Sequence, residues 1–252
     1  IEDLDKLPFP DKKLFYDEYK GFVKNYLILS SRGCPYNCSY CNNSYMHRLY
    51  DGRYYRRRSV DNVIAELKFA KKKYGIKRVC FFDDVLVYEK KWFRDFVKIY
   101  RKEIRLPYFC CVHASHVNEE TAELLEFSGC TCIDMGIQTS NEKIRKELGR
   151  TETNRDIIRA IRILSDKKIF IYTNFIFGLP EATEKDYVND ILFANKFPSD
   201  LATIYWLSLF PRSKITEQCF EKGIIDKKAK ENIQRAKKPS SYSQKGDTYD
   251  QK

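Results

Sequence analysis

Apolar runs and amphipathic segments alternate from residue 24 to residue 226, and this alternation constrains the fold more than any other feature. "KNYLILS" (24–30), "KRVCFFDD" (77–84), "YFCCVHA" (108–114), "CTCIDMGIQTS" (130–140), "IFIYTNFIFGLP" (169–180) and "LATIYWLSLFP" (201–211) read as strands. Helices are predicted over 59–75, 89–104, 118–129, 154–168 and 183–197, with a last one over 215–225. Ser59, Asn118 and Thr183 are N-cap candidates, Thr183 paired with Asp186 in a capping-box pattern; Gly75 and Gly129 are stops. Near-continuous apolar strands are expected where both faces of a parallel sheet are covered. A repeat of about 30 residues matches βα crossovers. The expected class is α/β, either an open doubly wound sheet or a partial barrel of six βα units resembling a TIM barrel.

The flanks differ. Residues 1–23 contain Pro8 and Pro10 with little periodicity and read as an extended lead-in. Residues 24–226 form the core domain. Residues 227–252 are polar and basic, supplying +5 of the chain's net +11, and are expected to be disordered or to begin a missing segment. The chain opens on Ile1 rather than Met and reads as a piece of a longer protein. It has no basic-then-apolar leader and no stretch near ~18 apolar residues, so neither secretion nor a membrane span is expected, and the cytoplasm is the expected compartment. Nine cysteines in a chain this rich in core residues fit a reducing compartment better than a disulfide scaffold.

Cys34, Cys38 and Cys41 lie in "SRGCPYNCSYC" (31–41), directly after the first strand. Other polar groups follow later strands: Asp83 and Asp84, His113 and Ser115, Gln138 to Ser140, then Asn174 and "GLPE" (178–181). In parallel α/β folds this edge is where sites gather. Three thiols with His47 six residues on would make a Cys3His zinc site. Three thiols without a fourth would leave one iron of a four-iron cluster open. The remaining cysteines, Cys80, Cys110, Cys111, Cys130, Cys132 and Cys219, read as buried thiols.

"CPYNCSYC" resembles the cluster loop of the radical S-adenosylmethionine (SAM) superfamily, including aromatic Tyr40 before the third cysteine. The resemblance covers roughly residues 24–216. It implies a partial (βα)6 barrel with a [4Fe-4S] cluster on Cys34, Cys38 and Cys41. SAM would chelate the open iron, and its reductive cleavage would yield a 5′-deoxyadenosyl radical that abstracts hydrogen from a substrate. "FFDD" (81–84) is similar to the acidic strand end where relatives hold an amino group, placing Asp83 and Asp84 there. "MGIQTSNEKIRKELGR" (135–150) looks like the fourth-strand segment, with Gln138 near the ribose and Arg150 toward the carboxylate. "NFIFGLPEAT" (174–183) resembles the adenine-binding motif, with Asn174, Ile176, Gly178 and Leu179 at the cofactor.

"DLDKLPFPDKKLF" (3–15) resembles the connector from an upstream cobalamin-binding domain, and "RRRSVDNVIAEL" (56–67) is similar to the same branch. That implies cobalamin held by a domain absent from this chain, methyl transfer or rearrangement on a small molecule or lipid, and an electron donor such as flavodoxin or ferredoxin. A tRNA-modifying methylthiotransferase is the alternative within the superfamily, and a zinc- or RNA-binding module the alternative outside it. Arg53, Arg56, Arg57 and Arg58 with Tyr50, Tyr54 and Tyr55 are the residues an RNA would use; a solvated loop over the barrel mouth is the favoured reading. Relatives often carry Pro-Gly-Thr after the sixth strand, where this chain has Pro211-Arg212-Ser213; Arg212 lacks glycine's freedom, so a different loop is expected. His113 stands where relatives often place Arg.

Overall fold

The computed structural model describes residues 2–19 and 24–235. In chain order the elements are α1 (Lys13–Glu18), β1 (Asn25–Ile28), β2 (Ser31–Arg32), α2 (Asn43–Leu49), β3 (Arg56–Arg57), α3 (Val60–Tyr74), β4 (Arg78–Phe81) and α4 (Lys90–Glu103). There follow β5 (Tyr108–Val112), α5 (Glu119–Ser128), β6 (Cys130–Gln138), α6 (Glu142–Glu147), α7 (Asn154–Ser165), β7 (Phe170–Phe177), α8 (Glu184–Ala194), β8 (Leu201–Trp206), α9 (Lys214–Glu221) and α10 (Lys227–Gln234).

β1, β4, β5, β6, β7 and β8 form one parallel sheet in that spatial order. Strand order therefore never reverses. Right-handed crossovers then put the helices that connect these strands on the same face, which is the wall of a barrel and not a doubly wound sheet. The partial barrel is the correct alternative of the two. Burial follows from it. Along β1, β4 and β5 buried residues alternate with more open ones, because only the helix-covered face is sealed. Tyr26, Ile28, Val79, Phe81, Val112 and Ile133 pack under α3, α4, α5 and α7. Cys80, Phe109, Cys111, Asp134, Tyr172 and Asn174 occupy the inner, half-open face. The expectation of strands sealed on both faces is corrected here: apolar composition continues across the inner face although no helix covers it.

The predicted caps form. Ser59 and Asn118 accept from Asn62 N and Thr121 N, Thr183 and Asp186 make a reciprocal capping box, and Gly75 and Gly129 end their helices at positive φ.

Both flanks are more ordered than expected. The lead-in is not simply extended: α1 buries Tyr16 against Tyr26 and Tyr74. Asp5 accepts Ser59 N at 3.0 Å. Glu66, 1% exposed, receives the Tyr26 hydroxyl at 2.7 Å and the Arg58 guanidinium at 2.5 Å, with Lys12 Nζ 3.7 Å away. At the other flank, 227–234 is helical rather than disordered, capped by Asp226 and held by Lys230 against Glu217 and Phe220. Residues 236–252 lie outside the described residues.

The basic cluster divides: Arg53 stays on a solvated loop, 71% exposed and 3.8 Å from Glu89, whereas Arg56, Arg57 and Arg58 are engaged by the fold. Arg57 donates to Leu86 O and Val85 O and stacks 4.4 Å from Trp92; Arg58 is spent on Glu66; Arg56 lies 4.3 Å over Tyr50. These side chains fasten the β2–β3 ribbon and lead-in to the barrel.

Replacing Glu66→Ala strands a buried tyrosine hydroxyl and an uncompensated guanidinium. Chemical denaturation is expected to show a loss of about 3–5 kcal/mol; a loss below about 1 kcal/mol would contradict this account of the lead-in.

Candidate active site at the barrel mouth

The cysteine loop leaves β2 through Gly33 at φ +78, where a Cβ would fall 2.6 Å from Tyr54 O. That close approach requires glycine. Cys41 N then bonds Cys38 O and Ser44 N bonds Cys41 O, turning the loop into α2. Two further backbone bonds clamp it: Ser39 N to Leu148 O at 2.9 Å and Ile215 N to Ser39 O at 3.0 Å. Cys34 and Cys38 are buried and Cys41 is partly so. Burial raises all three thiols, Cys34 to about 12.

Among the described residues no three His, Cys, Asp or Glu side chains converge as a single metal ion requires. His47 Nε2 is engaged by Cys34 O at 2.8 Å. A Cys3His zinc site therefore does not fit. An iron–sulfur cube does, because each thiolate binds a different iron and the three need not meet at one point. Desolvated thiols on a backbone-clamped loop are the donor set it requires.

The other expected residues divide into two groups. Tyr40 and Ile176 pack on one apolar cluster with Ile144, Leu148, Leu179 and Leu207, so a shared wall faces the loop. Gln138, at φ +73, folds back over Gly136, where a Cβ would lie 2.1 Å from its Nε2. Arg150 bonds Glu152 Oε1 at 2.5 Å and Gly136 O at 2.8 Å, and reaches Tyr40 only at 3.5 Å, leaving one amino nitrogen with a weak partner. Gly178, at φ +77, donates its N–H to the Tyr187 hydroxyl. Leu179 is fully buried, so it shapes the wall from behind.

Asp83 and Asn174 do other work. Asp83, 1% exposed, accepts Ser30 N at 3.0 Å, Ser30 Oγ at 2.7 Å and the Ser31 hydroxyl, tying β4 to the β1–β2 turn. Asp84 is the exposed member of the pair. It takes Asn43 Nδ2 at 3.2 Å, and its charge raises the Cys34 and Cys41 thiols. Asn174 points along the inner wall, bonded to Asp134 and Thr203.

Some supporting residues carried no periodic signal. Arg145, fully buried, bonds Thr139 O, Glu152 O and Asn154, and so holds the 139–154 segment. Asp190 on α8 accepts Thr139 Oγ1 at 3.1 Å and Ser140 Oγ at 2.6 Å. Glu152, buried in a polar stretch, links Arg150 to His113, whose Nε2 lies 3.5 Å from Oε2. His113 stacks on Tyr36 at 4.2 Å and bonds Ser115 Oγ. Arg212 takes the left-handed φ of +58 that glycine would supply, so its backbone does not depart as expected; its side chain bonds the Tyr45 hydroxyl at 2.8 Å.

The Radical SAM superfamily model matches residues 28–194. The chain belongs to that superfamily. An uncharacterized methyltransferase of Pyrococcus horikoshii is 28% identical over 228 residues, covering 89% of this radical SAM chain and 49% of the relative. The bacteriochlorophyllide d C-12(1)-methyltransferase of Chlorobaculum tepidum is 26% identical over 76% of the chain and 42% of the relative. The radical SAM methyltransferase TsrM of Kitasatospora setae, solved with cobalamin and a [4Fe-4S] cluster, shares the fold at a TM-score of 0.66 and 22% identity, over 77% of this chain and 39% of that one. This chain thus spans about half the length of the curated relatives it matches, or less. No helix among the described residues is long and apolar enough to cross a membrane.

Burial, reinforced by the Arg150 cation, holds the His113 imidazole far below its ordinary value. The unfolded chain takes that proton near pH 6.5, so stability is lost progressively as pH falls below about 6.5. His113→Gln is expected to flatten the acid side of a Tm-versus-pH curve between pH 7.5 and about 5.5; an unchanged slope would assign the acid sensitivity elsewhere.

Proposed function

We propose that this chain is the catalytic core of a radical SAM methyltransferase. Cys34, Cys38 and Cys41 would hold a [4Fe-4S] cluster through three irons, and SAM would take the fourth. The observation that carries the reading is the cysteine loop itself: three desolvated thiols, fixed by backbone bonds, on the carboxyl edge of a six-stranded parallel barrel. When bound, these groups supply reductive carbon–sulfur cleavage and a 5′-deoxyadenosyl radical.

The chain's own residues bind and orient. Asp84 would offer a carboxylate to the cofactor's amino group, and the under-used Arg150 nitrogen would take its carboxylate. Gln138 would serve the ribose, and Tyr40 with Ile176 would flank the adenine beside the Gly178 turn. The apolar cluster behind Tyr40 keeps bulk water from that side, which protects reactive species. Methyl transfer follows from the kinship with methyltransferases, and cobalamin from the lead-in. The lead-in, from which a preceding cobalamin domain would continue, is fastened across the β1 edge by Lys12 at Glu66 and Asp5 at Ser59. The substrate would be a small molecule or lipid, with a reduced flavodoxin or ferredoxin as donor. An RNA substrate is disfavoured because Arg57 and Arg58 are consumed inside the fold.

Anaerobic reconstitution is expected to give brown protein with about four irons per chain. With a reductant it should release methionine and 5′-deoxyadenosine from SAM. Cys34→Ala, Cys38→Ala and Cys41→Ala should each abolish cleavage, while Cys110→Ala and Cys219→Ala retain it. Colourless, zinc-loaded protein without cleavage, or equal loss in all five variants, would overturn the reading.

A further inference from the structure

The inner wall of the barrel carries a carboxylate that the cofactor site does not use. Asp134 sits mid-strand on β6, two residues below Gly136, whose carbonyl Arg150 holds. Its carboxylate takes the Asn174 amide from β7, and Asn174 Oδ1 takes the Thr203 hydroxyl from β8. An ionised carboxylate only accepts, so Asn174 must present its NH2 to Asp134 and its oxygen to Thr203. The ladder across three strands therefore fixes one Asp134 oxygen and leaves the other to accept from a visitor.

Among the described residues no Lys, Arg or His forms an ion pair with Asp134, and its only resolved bonding partner is Asn174. Arg78, the inner wall's own cation, acts on Cys80 and Cys132 lower in the barrel. A partly desolvated carboxylate without a counter-charge is costly unless a cation arrives. Aromatic pairs flank the position: Phe82 with Phe109 at 6.0 Å on one side, and Phe170 with Tyr172 at 5.0 Å on the other, Tyr172 being the cross-strand neighbour of Asp134. A carboxylate among aromatic faces is the chemistry that receives an alkylammonium.

We propose that Asp134 is the specificity-determining residue for the barrel's substrate, and that it selects a molecule bearing an ammonium group on an apolar body. The proposal rests on the reading that the mouth is taken by SAM, which leaves the inner wall to a second molecule. Asn174 and Thr203 are positioning residues that hold the carboxylate in place.

Cys111 is a built-in reporter. It is the cross-strand partner of Asp134 on the same face, it is partly open, and among neighbouring charges Asp134 perturbs its thiol most. Cluster-loaded protein is treated with cationic 2-aminoethyl or anionic 2-sulfonatoethyl methanethiosulfonate. Labelling of the Cys111 peptide is followed by mass spectrometry, with each rate normalised to a free thiol. The cation is expected to react about tenfold faster than the anion. Asp134→Asn should cut that ratio by at least about threefold, the remaining bias coming from Asp84 and Asp83, which also act on the Cys111 thiol. Millimolar n-butylammonium should slow labelling by neutral methyl methanethiosulfonate, butyrate should not, and Asp134→Asn should remove the protection. An unbiased ratio, a bias undiminished by Asp134→Asn, or bias without ammonium protection would each overturn the proposal. None of these readouts depends on SAM cleavage, so failure of the cofactor reading would register separately.

Discussion

A sheet whose strands never reverse order has helices on one face only, and the rest of this structure depends on that asymmetry. The outer face is sealed by ordinary packing of Val, Ile, Phe and Tyr against amphipathic helices. The inner face has no helix to cover it, so its residues must tolerate partial solvent or meet a ligand. Cys80, Cys111, Asp134, Tyr172 and Asn174 are small, polar or amphipathic for that reason. The same geometry gathers the β-to-α turns at one rim, which is why the cysteine loop, Asp84, Gln138 and Gly178 lie on one edge although they span much of the chain.

The rim is held because its loops are bonded to one another as well as within themselves. Leu148 O and Ile215 N grip Ser39 from two sides, so the midpoint of the cysteine loop is fixed by segments more than a hundred residues away in sequence. Arg145 organises the 139–154 segment through backbone carbonyls, and that segment in turn delivers Arg150 and Glu152 beneath Tyr40. A buried guanidinium fully used by carbonyls has no freedom to move. Pre-organisation of this kind matters for a site that must hold a negatively charged cluster and its ligand away from water.

The strand–helix alternation and the caps were legible because they depend on residues a few positions apart. The cysteine loop was legible because its spacing is local and unusual. Three things were not. Asp83 and Asp84 are adjacent and identical in type, and only the pleat decides that one faces the Ser30 and Ser31 hydroxyls while the other faces the thiols. The lead-in helix is stabilised by Tyr16 packing on Tyr26 and Tyr74, contacts with no periodic trace in a segment that begins with two prolines. The arginine run looked like surface because charge density was all that could be read, whereas its partners, Glu66, Leu86 and Trp92, are set by tertiary packing.

Arg212 and Asn174 show how a motif position can keep its geometry while its chemistry changes. Arg212 accepts the left-handed backbone at a cost of about 1–2 kcal/mol. It offsets that with a side-chain bond to Tyr45 that glycine could not make, and its backbone carbonyl accepts from Arg48, so the sixth-strand loop is tethered to α2. Asn174 begins the stretch that resembles an adenine-binding motif, yet the β7 pleat turns it to the inner wall, where its amide serves Asp134. Ile176, two residues on, is level with the Tyr40 wall at the rim. One strand therefore reaches two levels of the inner wall, Ile176 at the rim where we place the cofactor and Asn174 below it. A change at Asn174 would be felt first at Asp134 and Thr203, its two bonded partners.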